Sequence, residues 1–337
     1  MHSFNCIWEC AQIKLPRRQF LNLAAGTTAL PVLARTARAQ VYPSRPVRLI
    51  VGFPTGGQID IIGRLIGQWL SDRLGQPFVV DSRPGAGSNI ATEAVVRAPA
   101  DGYTLFLAST TNAINATLFE KLSYDFIRDT TPIASINRIP LVLEANPSLP
   151  IKTVRQLVAY AKVNPGKINI GTPSKGTGPY MAAQLFMMMP ELNMVHVPYR
   201  GSPAMLTDLL SGQIQLAFDG LSSSIEHIRA GNIRALAVST ETPLEALPNI
   251  PTIGASVPGY EASGWCGVVG PKSMPAEIVE KLHREINAGL ANSMIKARLA
   301  ELGLIVLAGS TGSFAKLIAD DTEKWAKVIR SANIKPD

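Results

Sequence analysis

The sequence has 337 residues, of which 46% are hydrophobic, 17% charged and 6% aromatic, a composition that excludes disorder for the bulk of the chain. No apolar run reaches the ~18–20 residues that span a bilayer, so an integral membrane protein is not expected. The formal charge of +7 is concentrated at one end: residues 1–40 hold five basic and one acidic side chain, the remainder carries a net +3, and no Lys/Arg stripe of the kind that binds nucleic acid is left.

Residues 1–39 read as an export signal peptide. Arg17 and Arg18 precede Gln19-Phe20-Leu21, an uncharged stretch runs to Leu33, and Ala37-Arg38-Ala39 follows. A positive start, a short apolar core and a small-x-small cleavage site make that signal. Arg-Arg-x-Phe-Leu also resembles the twin-arginine form. Cleavage after Ala39 and a periplasmic location are expected. Cys6 and Cys10 lie upstream of the cut, which leaves Cys266 alone and unable to form an internal disulfide. Within the apolar run Gly264–Val269 it reads as a buried structural thiol.

Downstream, strand-like and helix-like patterns alternate. Val47–Phe53 is a continuous apolar strand and Ile59–Leu74 a helix. Phe78–Asp81, Thr104–Ala108, Ile133–Asn137 and Leu141–Ala145 read as strands, and Ile90–Arg97 as a helix. Val154–Val163, Tyr180–Met188, Ala204–Leu210 and Ile225–Ala230 read as helices, separated by strands at Ile168–Gly171, Met194–Val197, Leu216–Phe218 and Ala235–Ser239. Such alternation implies α/β layers with parallel sheets and crossover helices. Toward the end, Ile278, Leu282, Ile286 and Leu290 step by four and mark one helix face, while Phe314, Leu317, Ile318, Trp325, Val328 and Ile329 mark another. These C-terminal helices are expected to pack back on the first half. Pro-rich passages near Pro147–Pro150 and Pro248–Pro275 divide the chain into lobe 1, residues 40–143 plus 268–337, and lobe 2, residues 144–267. Two crossovers join the lobes and a cleft lies between them.

Several strand ends carry glycine and hydroxyl residues. Phe53, Thr55, Gly56, Gly57 and Asp60 follow the first strand and open a helix. Helix-start N–H groups have no internal partner and carry partial positive charge, so this loop can hold an anion without Lys or Arg; a plain strand-to-helix turn is the alternative. Asp60 favours the helix dipole, fixes the glycine loop or accepts a ligand amine. Thr172, Ser174, Gly176 and Thr177 sit in a second such loop, which is not a phosphate-binding P-loop because Thr177 stands where that motif has lysine. Gly85 and Gly87 begin like a dinucleotide fingerprint, but Ile90 replaces its last glycine. Ser109 and Thr110 end another strand. Asp219 ends the strand before Gly220, on the edge where α/β proteins bind ligands. Arg200, after Tyr199, can clamp a carboxylate or lie in solvent. No nucleophile–base pair is visible, and His196 in an apolar strand reads as a satisfied core histidine. No catalytic residue, metal or cofactor is expected.

Tyr42-Pro43-x-Arg45-Pro46, Phe53-Pro54-Thr55-Gly56-Gly57-x-x-Asp60, Arg83-Pro84-Gly85-Ala86-Gly87, Asp101-Gly102-Tyr103-Thr104-Leu105 and Val197-Pro198-Tyr199-Arg200-Gly201 together resemble the Bug family. These are the periplasmic solute receptors of tripartite tricarboxylate transporters, and the resemblance runs from about Tyr42 to Ile334. It implies a two-lobed periplasmic-binding-protein fold, type II-like, closing on a small organic acid. The loop matching Phe53–Asp60 would hold a carboxylate partly through water, and Thr172–Gly178 and Tyr199–Pro203 would face it. Gln58, Ile59, Pro179-Tyr180 and Arg200 depart from the usual pattern. The implied protein is a monomer that hands its ligand to membrane permease subunits. A receptor for a membrane signalling partner and a secreted α/β hydrolase are the alternatives.

Overall fold

The computed structural model describes residues 42–336; the signal-peptide reading of residues 1–39 lies outside them. The first strand, β1 (Val47–Val51), is a near-continuous apolar run, buried on both faces apart from Arg48. Helix α1 (Gln58–Leu74) covers it with Ile59, Ile62, Ile66 and Leu70 on one stripe. Gly67 lets the helix come close: a β-carbon there would sit 3.1 Å from the carbonyl oxygen of Phe78. The chain continues through β2 (Phe78–Ser82), α2 (Asn89–Val96), β3 (Thr104–Ser109), α3 (Thr110–Leu118), the short α4 (Phe126–Asp129) and β4 (Thr130–Ile139).

β5 (Leu141–Ala145) opens a second sheet. α5 (Val154–Val163), β6 (Asn169–Thr172), α6 (Gly178–Met188), β7 (Val195–Pro198), α7 (Ser202–Ser211), β8 (Leu216–Gly220), α8 (Leu221–Arg229) and β9 (Arg234–Val238) complete it. The return is made by β10 (Gly264–Pro271), α9 (Ala276–Ala291), α10 (Ser293–Glu301), β11 (Ile305–Val306) and α11 (Thr311–Ser331). The six-stranded sheet has the order β11-β4-β10-β3-β1-β2 and the five-stranded sheet the order β7-β6-β8-β5-β9. This is the two-sheet α/β fold of periplasmic binding proteins, type II-like.

The expectation of parallel sheets needs correction. β10 runs antiparallel to both β3 and β4, and β5 runs antiparallel to both β8 and β9. Both are the strands by which the chain enters a sheet from the other one, so neither arrives through a crossover helix of its own. Pro140 alone separates β4 from β5. Leu141 to Leu143 therefore pair within the second sheet, and Gly264 to Gly267 pair within the first. The expected lobe limits at 143/144 and 267/268 cut through these two strands.

The C-terminal helices pack on the first sheet, α9 and α11 against β4. Trp265 on β10 is fully buried, stands edge-on to Phe314 of α11 at 5.5 Å, and donates its indole N–H to Asp321 Oδ2 at 2.7 Å. Lys324 reaches both Asp321 and Glu261, each at 3.0 Å, which ties α11 to the return crossover. Cys266 is buried, and burial pushes its thiol far above the ordinary range, consistent with an inert packing residue.

Candidate functional site

One cavity, of about 320 Å³, lies where the carboxyl ends of strands from both sheets face each other. Five helix starts line it. Gln58 and Ile59 begin α1, Thr110 and Thr111 begin α3, Gly178 and Pro179 begin α6, Ser202 begins α7, and Ser222 and Ser223 begin α8. Each of these helices follows a strand directly or by a short loop, so five first turns, whose N–H groups lack partners within their own helices, border one space. No Lys, Arg or His lines it, and Asp219 is the single charged side chain among the lining residues. Positive potential there comes from peptide dipoles, about half a charge per helix start. Phe53, Ile139, Leu141 and Trp265 supply apolar wall. Such a space suits a small anion with a short apolar body.

The two halves already touch across it. Gln58 Nε2 donates to Ser222 Oγ at 2.6 Å, so one residue from α1 and one from α8 span the gap between the sheets.

Of the residues picked from the sequence, Phe53, Ser109, Thr110, Thr177 and Asp219 line the cavity. Thr55, Gly56 and Gly57 are exposed on the loop before α1 and are not in its wall. Gly56 takes φ +82°, and its amide donates to Asp60 Oδ2 at 2.9 Å, so that N–H is already spent. Asp60 is 1% exposed and also accepts from Arg64 Nε at 2.8 Å and Ser82 Oγ at 3.0 Å. Of the three roles open to it, the geometry gives the brace for the glycine loop. Gly85 precedes and Gly87 lies within a turn of 3₁₀ helix away from the wall, where the Gly87 carbonyl accepts from Asn115 Nδ2 at 2.6 Å.

On the other side, Thr172 Oγ1 bonds His196 Nε2 at 2.8 Å, and His196 Nδ1 bonds Gln184 at 2.8 Å. His196 stacks on Tyr180 at 4.4 Å, and burial draws its pKa down to about 4. It is a neutral, fully bonded packing histidine. Ser174 Oγ donates to the Pro173 carbonyl at 2.5 Å. Gly176 is buried beneath Leu118, whose Cδ2 a β-carbon would meet at 2.7 Å. Tyr199 donates to Asp208 Oδ2 at 2.8 Å, and burial, helped by Asp208, pushes its phenol up to about 12. Arg200 is exposed and outside the wall.

Sequence reasoning reached Ser202 only as part of the segment Tyr199–Pro203 and passed over Ser222, Ser223 and Trp265. The three serines had a readable signal: each follows a glycine at a strand-to-helix turn, Gly201-Ser202 and Gly220-Leu221-Ser222-Ser223. Trp265 had none, because an apolar strand residue looks the same whether it faces core or cavity. Among the described residues, no group of three or more His, Cys, Asp or Glu could hold a metal ion.

The bracing role of Asp60 makes a prediction. Burial alone would raise its carboxyl, but the bonds from Arg64, the Gly56 amide and Ser82 prevail and hold it below the usual carboxylate range. A depressed folded-state pKa adds stability above the unfolded value and loses it as pH falls through the folded one. Asp60→Asn should therefore cost about 1–3 kcal/mol at neutral pH, and the gap should narrow as pH falls below the ordinary carboxylate value of about 4. Denaturant midpoints at the two pH values check both halves.

Comparison with known proteins agrees with this geometry. The model of the family described as "Tripartite tricarboxylate transporter family receptor" matches residues 62–334. The chain is 33% identical over 316 residues to protein BugT of Bordetella pertussis, covering 93% of this chain and 95% of BugT. Among solved structures it is similar to R. palustris Rpa4515 with adipate, at 36% identity and TM-score 0.77, covering 88% of this chain and 100% of that one. It is also similar to MatC from Rhodopseudomonas palustris with bound malate, at 27% identity and TM-score 0.73, covering 86% and 100%. Strand-end loops, a cation-free cavity between two sheets and these matches agree, and the chain belongs to the TctC/Bug family of tripartite tricarboxylate transporter receptors, a family of solute-binding proteins and not of enzymes.

Proposed function

We propose that this protein captures a small organic carboxylate in the periplasm and presents it to the membrane permease subunits of a tripartite transporter. The observation that carries the reading is the convergence of five helix starts, from both sheets, on one cavity whose wall holds no cation. The relatives solved with adipate and with malate each hold a small dicarboxylate, which supports the same ligand class here. Export through the Arg17-Arg18 signal, with cleavage after Ala39, would place the receptor there as a monomer. The two lobes would close on the ligand about Pro140 and the return segment before Gly264, since contacts made only in the closed form are what favour it. The Gln58–Ser222 bond is of this closing kind.

The test is thermal unfolding of purified, ligand-free protein with a panel of mono-, di- and tricarboxylates. A ligand at one hundred times its Kd should add about 2.7 kcal/mol. For a chain of this size that raises the melting temperature by roughly 5–10 °C, at about 2–4 °C per kcal/mol. A panel with no stabilising acid would overturn the proposal.

A further inference from the structure

Asp219 stands at the carboxyl end of β8, lines the cavity and is 1% exposed. Its Oδ1 accepts from Ser202 Oγ at 2.7 Å and from the Gly220 amide at 2.8 Å. Both donors come from residues that also line the cavity, so the carboxylate is held in one orientation at the wall. Its Oδ2 is buried and has no hydrogen-bond partner. The rest of the polar wall consists of donor-bearing groups, side-chain hydroxyls, the Gln58 amide and helix-start N–H groups, of which the Thr177 and Ser202 hydroxyls already donate to the Ser174 carbonyl and to Asp219. Asp219, when ionised, can only accept.

We infer that Asp219 is a specificity-determining residue that selects, among small carboxylates, those carrying a hydrogen-bond donor, a hydroxyl or an ammonium group, for its Oδ2. The inference rests on the reading of the cavity as a carboxylate site. A ligand made only of acceptor oxygens and methylenes leaves Oδ2 buried and unpaired, and it brings like charge toward it. A ligand with an O–H or N–H satisfies the atom. Sites built around a buried polar group discriminate most strongly against the analogue that lacks its partner. One other arrangement would satisfy Oδ2 without a ligand. Glu144 is fully buried on β5, its Oε1 accepts from Ser224 Oγ, and its Oε2 is also unpartnered. Val142 pairs with Asp219 in the β5–β8 register and Glu144 lies two residues on, so the two carboxyls share a sheet face as diagonal neighbours. A proton held between them would leave Asp219 indifferent to the ligand.

Calorimetric titration with matched acids separates these cases. The series are succinate, malate and aspartate, then glutarate, 2-hydroxyglutarate and glutamate, with adipate as a longer unsubstituted acid. In at least one series the hydroxy or amino member should bind at least about tenfold more tightly than its unsubstituted parent, or 1.4 kcal/mol. Which member leads tells hydroxyl from ammonium. In Asp219→Asn that preference should fall to within about threefold, because asparagine keeps the oxygen that serves Ser202 and Gly220 and turns the other acceptor into a donor. Unsubstituted acids binding as well as or better than their substituted partners would overturn the inference and leave the carboxylate reading intact. An undiminished preference in a folded Asp219→Asn protein would also overturn it. Failure of every acid to bind would overturn the carboxylate reading and this inference with it. Should Asp219→Asn fail to fold, the comparison within the unaltered protein decides alone.

Discussion

Gly178→Leu should weaken carboxylate binding at least about a hundredfold, or 2.7 kcal/mol, while the protein melts at the same temperature or higher. Gly178 is the first residue of α6 and lines the cavity. A β-carbon built there meets no atom within 4 Å, and the backbone is not in the left-handed region. A leucine side chain thus enters open space beside the ligand without displacing protein atoms. It would occupy a substantial part of a cavity of about 320 Å³. Within a helix, leucine is favoured over glycine by up to about 1 kcal/mol, so folding has nothing to lose. Titration calorimetry and a melting curve on the same sample check both halves. Unchanged affinity would place the ligand outside this cavity.

The second large effect concerns Glu144. Burial, reinforced by the nearby Asp219 charge, pushes its carboxyl well above the ordinary range. Burial likewise raises Asp219, to about 6, against the opposing bonds from Ser202 and Gly220. A carboxyl whose folded pKa is raised holds its proton more tightly when folded. Its presence then costs stability as pH rises from the unfolded value, about 4, through the folded one. Glu144→Gln has no proton to lose and relieves Asp219 of a like charge. The variant should match the unaltered protein near about pH 4 and exceed it by a margin that widens as pH rises toward about 8. Urea midpoints across that range give the result. A gap that does not change with pH would mean that the pair is not the source.

The strands and most helices were legible because their burial is one-dimensional. β1 is apolar at four of five positions and α1 repeats its apolar residues every three or four. α3 was not read as a helix: over Thr110–Leu118 only Ala113, Ile114, Ala116 and Leu118 are apolar among hydroxyl and amide residues. It forms because the Ser109 amide donates to Asn112 Oδ1 at 2.9 Å and because α11 packs on it, and the second cause lies two hundred residues away. The direction of β5 and β10 left no trace in composition, since a strand buried on both faces looks alike either way. For the site, strand ends rich in glycine and hydroxyls pointed to the sheet edges that border the cavity. What could not be read was whether a hydroxyl was already occupied. Thr172 and Tyr199 are claimed by His196 and Asp208, and even in the wall Thr177 donates to the Ser174 carbonyl and Thr110 accepts from the Trp265 amide.

A cavity walled by peptide dipoles, without a lysine or arginine, also sets how the receptor meets its surroundings. Mobile ions screen charges on a protein's surface within about 8–10 Å at physiological ionic strength, but they do not reach amides enclosed at helix starts. The periplasm exchanges salt freely with the outside medium, and its ionic strength follows the habitat. A receptor that steered its ligand with surface cations would gather faster in fresh water than in brine. In the wall of this cavity Asp219 is the single charged side chain. The cavity's grip on an anion should therefore change little as the cell moves between dilute and salty water.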